Sequence, residues 1–228
     1  MNRILLVIDP LNKGLISISR LVNEPLYLCF ASLTTWDNFE KINPFDIEIF
    51  KSVLLDFNTI DTDEDGILKT TDLLNMNGYR LTEAFIESVY ENLCQNGTMD
   101  FEWFIRFKIA LDNLGAKWAN LFFFDAIDID NSGDITRFEI NYFQKDIVKE
   151  CTKLFPESTM LPTESVISEK FDTLQVTTNR ISKDVFVNSR ATEAFVRQIT
   201  DMAVVAKMEF NIDIFQIENE KKNQEQEK

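Results

Sequence analysis

The chain has 228 residues, 45% of them apolar and 12% aromatic, enough for one or two domains with well-buried cores and too many for a disordered polymer. A net charge of −15 repels phosphate backbones and argues against nucleic acid as a direct partner. The absence of His removes Ser-His-Asp and Cys-His catalysis and His-ligated zinc together.

The first apolar run, Ile4 to Ile8, is too short for a signal-peptide core and ends in Asp9-Pro10. No stretch approaches the ~18 apolar residues of a membrane span. Cys29, Cys94 and Cys151 stand far apart and read as separate thiols in a reducing compartment, so a cytoplasmic location is expected.

A twelve-residue frame begins at Asp9, with Gly14 sixth and Ile16 eighth. It carries Leu11, Lys13 and Arg20 at its third, fifth and twelfth places. Asn43-Pro44 then opens a helix in which Phe50, Val53, Leu54 and Phe57 recur at helical spacing. The same frame returns in Asp61-Thr-Asp63-Glu-Asp65-Gly66-Ile67-Leu68-Lys69-Thr-Thr-Asp72, now rich in carboxylates.

Thr82 is expected to cap the next helix, with Phe85, Ile86, Val89, Tyr90 and Leu93 on one stripe. Asn92 to Trp103 repeats the frame with Gly97 and Met99 in place, but with Cys94 and Trp103 at oxygen positions. Asp100 starts a helix over Phe101–Leu111, and Trp118, Leu121, Phe122 and Ile127 lead into a fourth frame. That frame is Asp128-Ile-Asp130-Asn-Ser132-Gly133-Asp134-Ile135-Thr136-Arg-Phe-Glu139.

Phe138, Tyr142 and Phe143 line the helix that follows, and Phe155-Pro156 through Leu161-Pro162 form a loop. Thr163 caps a short helix towards Phe171. A fifth, weaker frame centres on Ile181, with Leu174 and Val185 at its ends. A last amphipathic helix is expected over about Thr192–Phe210, before a polar tail from Gln216 that reads as frayed or disordered.

Oxygen-bearing side chains at positions 1, 3, 5 and 12, a carbonyl at 7 and Gly at 6 define the calcium-binding EF-hand loop. In the fourth frame these are Asp128, Asp130, Ser132, the carbonyl of Asp134 and Glu139, with Thr136 at position 9. In the second they are Asp61, Asp63, Asp65, the carbonyl of Ile67 and Asp72. Asp72 is one methylene shorter than Glu, which weakens selectivity for calcium and lets magnesium in. Lys69, at position 9, puts a cation near the ion, although its long side chain can swing to solvent. The other three frames are expected to be metal-free.

Because the residue at position 8 pairs with its counterpart in a second hand, hands come in pairs. The expected fold is all-α: an elongated array of paired EF-hands, two metal-binding and about three degenerate, joined by short two-residue β-bridges. The expected divisions are a degenerate, unpaired hand and connector over 1–42, a pair over 43–114, a pair with a C-terminal helix over 115–212, and the tail over 213–228. Within the pairs, loop 61–72 meets 92–103, and loop 128–139 meets the segment near 174–185. The unpaired first hand implies either a product trimmed from a longer protein, which is preferred, or a half-hand packed elsewhere. No P-loop, G-x-G-x-x-G motif or nucleophile elbow is present, and no enzyme is expected.

Three segments also resemble one family. Phe122-Phe-Phe-Asp-Ala-Ile127-Asp-Ile-Asp-Asn-Ser-Gly-Asp-Ile135-Thr-Arg-Phe-Glu-Ile-Asn141-Tyr142-Phe143 looks like the second EF-hand of the B″ regulatory subunits of type 2A protein phosphatase. Gly97-Thr-Met99-Asp100-Phe101-Glu-Trp-Phe104 with Ala110-Leu111-Asp112-Asn113 is similar to the helix before that hand. Leu6-Val-Ile-Asp9-Pro10-Leu11-Asn-Lys-Gly14-Leu-Ile-Ser-Ile is similar to the family's earlier degenerate hand. The likeness covers about residues 1–150 and, more loosely, 151–210.

The resemblance implies a non-catalytic regulatory protein that binds the phosphatase's helical-repeat scaffold and catalytic subunits and directs substrate choice under calcium influence. Asp72 and the missing counterpart of the family's N-terminal part depart from that pattern. A generic EF-hand calcium sensor or buffer, and a structural cytoskeleton-associated EF-hand protein, are the alternatives.

Overall fold

A computed structural model describes Asp9, Gly14 and residues 47–74, 76–94, 97–157 and 163–217. The first twelve-residue frame is therefore described only at Asp9 and Gly14. Its connector, Cys29, Asn43-Pro44 and the tail beyond Ile217 lie outside the described residues.

The fold is mostly helical, with small strands. Helix α1 spans Ile47–Ile60, and a two-residue strand β1, Ile67–Leu68, precedes the short helix α2, Thr70–Leu73. Helix α3 covers Glu83–Asn92, then β2, Met99–Asp100, leads into α4, Phe101–Asp112. Helix α5, Lys117–Ile127, is followed by β3, Asp134–Thr136, and the long α6, Arg137–Leu154. After α7, Thr163–Thr173, come β4, Arg180–Ser182, and α8, Lys183–Asn188, then α9, Thr192–Thr200, and α10, Met202–Phe210.

The strands form two antiparallel ribbons. In one, Leu68 faces Met99 and Ile67 faces Asp100. In the other, Ile135 faces Ile181, flanked by Asp134 opposite Ser182 and Thr136 opposite Arg180. Leu68, Met99, Ile135 and Ile181 are buried to 1% exposure or less, so each ribbon ties two loops together through an apolar pair.

One continuous apolar core runs from Val53 to Ile199 and spans both ribbons. Eleven of its buried residues are Phe, which accounts for much of the Phe content. Phe123 is fully buried, its ring centroid 5.1 Å from Phe122, 5.8 Å from Phe85 and 6.0 Å from Phe107. Phe57 meets Phe101 and Phe104 edge-on, and Phe124 meets Phe186. Edge-to-face stacking suits the ring quadrupoles and adds to the area buried. Of the three aromatic residues at the start of α6, only Phe143 is buried; Phe138 and Tyr142 face outward.

Two expectations about helix ends are corrected. Thr82 stands at the N-cap of α3, yet its side chain makes no capping bond. The helix end is held instead by Asp146 of α6, whose carboxylate accepts the Ala84 N–H at 3.0 Å.

The single helix expected over about Thr192–Phe210 is two helices, α9 and α10, broken at Asp201. There the backbone becomes extended (φ −122°, ψ 107°) and bridges to Leu81. The Thr82 N–H bonds to the Thr200 carbonyl (2.9 Å) and the Met202 N–H to the Arg80 carbonyl (2.8 Å). Asp201 then caps α10 through the Ala203 N–H. Helical periodicity continues across the break because both segments turn apolar faces inward; the bonds that cause it come from residues 80–82.

Candidate metal centre

Loop 128–139 lies between α5 and α6. Left-handed backbone at Asn131 (φ 54°) and Gly133 (φ 86°) turns the chain back on itself, a conformation that Gly adopts without steric cost. The Ser132 N–H donates to Oδ1 of both Asp128 and Asp130, each at 3.0 Å, and the Gly133 N–H donates to Asp128 Oδ2 at 2.8 Å. The Ser132 hydroxyl lies 2.9 Å from the Asp134 carbonyl oxygen and 3.3 Å from Asp128 Oδ1.

Glu139 closes the loop. Its Oε2 accepts the Thr136 N–H (2.7 Å) and the Thr136 hydroxyl, forming a capping box at the start of α6. Its Oε1 is buried and has no hydrogen-bond partner. One oxygen each from Asp128, Asp130 and Glu139 lies within 4.8 Å of the others.

Three carboxylates at that separation repel one another, and the repulsion grows as water is withdrawn. Burial raises the Asp128 carboxyl above its usual range, whereas the Ser132 hydrogen bond lowers Asp130. A buried acceptor without a donor is costly on its own. A divalent cation removes both costs, and an all-oxygen donor set suits a hard ion such as calcium. These residues fit the ion.

Loop 61–72 keeps the turn and differs in its closure. The Gly66 N–H donates to Asp61 Oδ2 at 3.0 Å, the bond that Gly133 makes to Asp128. Gly14 makes it to Asp9 as well, at 2.8 Å, so this turn survives where the expected oxygen ligands do not. Asp61 Oδ1 is buried without a partner, and Asp61, Asp63 and Asp65 bring oxygens within 4.8 Å of one another.

Asp72 stands apart from that group. Its Oδ2 accepts the Lys69 N–H at 2.7 Å, as Glu139 does for Thr136. Lys69 is exposed, yet its ammonium turns onto the loop's carboxylates: it is hydrogen-bonded to Asp63 and lies 3.6 Å from Asp65 Oδ2. The hydrogen bond from Lys69 holds the Asp63 carboxyl below its ordinary value. The contact between Lys69 and Asp63 is a rotamer choice with no sequence signal.

No family model matches the chain. Among curated proteins, it is 27% identical over 146 residues to the B″ gamma regulatory subunit of serine/threonine-protein phosphatase 2A from Homo sapiens, covering 61% of this chain and 32% of that protein. It is 23% identical over 157 residues to the phosphatase 2A regulatory subunit rsa-1 of Caenorhabditis elegans, covering 68% and 39%. The chain thus spans about a third of the length of the curated relatives it matches.

A solved chain described as a PP2A PR70 holoenzyme and labelled diCa superposes with a TM-score of 0.78 at 19% identity, covering 88% of this chain and 76% of that one. Over the shared stretch the chain is similar to the B″ regulatory subunits of type 2A protein phosphatase, the family that its motifs resemble.

Proposed function

We propose that this chain is a calcium-binding, non-catalytic regulatory protein of the B″ kind, working with the scaffold and catalytic subunits of a type 2A serine/threonine phosphatase. The observation that carries the metal reading is the partnerless, buried Oε1 of Glu139 beside Asp128 and Asp130. The similarity to B″ proteins supports the phosphatase reading.

In this reading each ribbon joins an EF-hand pair, loop 61–72 with 92–103 and loop 128–139 with 174–185. Asp128, Asp130, Ser132, the Asp134 carbonyl and Glu139 hold the ion in one loop. Asp61, Asp63, Asp65, the Ile67 carbonyl and Asp72 are the counterparts in the other. Bound calcium supplies the positive charge that lets the carboxylates converge. Glu139 links that charge to the first turn of α6, while the Ile135–Ile181 pair passes the loop's position to α8. The angles between helices then depend on the metal, which is how EF-hand proteins present a binding face.

Among the described residues no helix is long and apolar enough to cross a membrane, in keeping with work in the cytoplasm. Calcium calorimetry on the wild type and on Glu139→Gln tests the metal reading, since the variant should lose the tighter site. Affinity capture in calcium and in chelator tests the partner reading. Recovery of neither scaffold nor catalytic subunit would leave a generic sensor or buffer as the better account.

A further inference from the structure

We propose that Lys69 is a built-in counter-ion for loop 61–72, a tethered ammonium that a divalent cation must displace. The inference rests on reading both loops as metal-binding, and it concerns how the two differ. Lys69 is the only cationic residue among positions 61–72, which also hold Asp61, Asp63, Glu64, Asp65 and Asp72.

Its ammonium is bonded to Asp63 and sits 3.6 Å from Asp65, within the group whose oxygens converge. A univalent charge therefore stands among the carboxylates that a metal would use. The corresponding residue of the other loop is Thr136, whose hydroxyl is bonded to Glu139. Loop 61–72 thus has an ammonium where loop 128–139 has an oxygen, and an Asp that stays outside the group where the other loop has a converging Glu.

The Lys69 and Asp63 side chains are 55% and 48% exposed, so water competes for both and the pair is weak. The ammonium screens the loop in the absence of metal and is released when a stronger cation enters. Two consequences have opposite signs. Removing the ammonium leaves the carboxylates unscreened and lowers the metal-free protein's stability. It also removes the competitor and raises calcium affinity at the same loop, by about three- to tenfold for an exposed pair plus the repulsion it exerts.

The experiment is calcium calorimetry on the full chain in a Glu139→Gln background, with and without Lys69→Thr, alongside thermal unfolding in chelator. The expected result is tighter binding at loop 61–72, a lower metal-free melting temperature, and unchanged affinity at loop 128–139 when Lys69→Thr is made alone. Lys69→Gln, which keeps most of the side-chain stem, should behave the same way and covers any folding defect specific to Thr. Unchanged or weaker calcium binding at loop 61–72 in both variants, while loop 128–139 still binds in the wild type, overturns the inference alone. If the wild type takes up calcium at neither loop, the metal reading falls and this inference with it.

Discussion

The Asp146 carboxylate on α6 accepts the Ala84 N–H at the start of α3, across 62 positions of sequence, at 3.0 Å. Asp146 is 8% exposed and also pairs with Lys149 at 3.3 Å. It therefore does for α3 what a neighbouring cap residue ordinarily does, satisfying an N–H that the helix leaves unpaired. Asp146→Ala should cost about 1–2 kcal/mol in urea unfolding. Thr82 supplies the contrast, because its hydroxyl is buried without a partner. Thr82→Val should be neutral or mildly stabilising. A Thr82 substitution costing more than the Asp146 one would mean that the cap has been assigned to the wrong residue.

Phe123 sits where rings from α3, α4 and α5 converge, and it is fully buried. Phe123→Ala opens a cavity in a core shared by both ribbons and should cost about 3–5 kcal/mol. Because that core is continuous from Val53 to Ile199, fluorescence and circular dichroism should report one coincident unfolding transition. Two separated transitions would show that the ribbons belong to independently folding units.

Glu139 ties loop closure to metal. Calcium at a hundred times its dissociation constant should stabilise the wild type by about 2.7 kcal/mol, read as a rise in melting temperature. In Glu139→Gln that rise should shrink to whatever loop 61–72 supplies. In chelator the same variant should unfold no earlier than wild type, because it removes a buried charge that has an unpaired oxygen.

What the sequence revealed was local. A turn glycine followed two residues later by a buried apolar side chain marks Leu68, Met99 and Ile135, and the carboxylates around Asp61 and Asp128 stand at ligand spacing in the chain itself. The features that escaped are long-range or rotameric. The Asp146 cap and the Asp201 break both depend on residues more than 60 positions away. The exposure of Phe138 and Tyr142 depends on which face of α6 the core takes up. Apolar periodicity shows that a segment can bury a stripe, and says nothing of which distant backbone will interrupt it.

The pH dependence of stability should carry the mark of Lys170. This side chain is buried between α6, α9 and α10, its ammonium 2.8 Å from the Gln198 oxygen and 3.8 Å from Glu169, with Glu209 nearby. Burial lowers its pKa below 10.5, and the two glutamates only partly counter that. Between the lowered folded value and 10.5, the unfolded chain holds more protons at this site than the native one. Stability attributable to Lys170 therefore rises with pH across that window, and below it the cost of burying the charge is constant. Lys170→Met carries no such proton. The stability of the wild type relative to Lys170→Met, from urea unfolding at steps between pH 7 and 10.5, should stay flat and then climb at the alkaline end. A difference that falls as pH rises would show that the ammonium is stabilised by its partners more than burial penalises it.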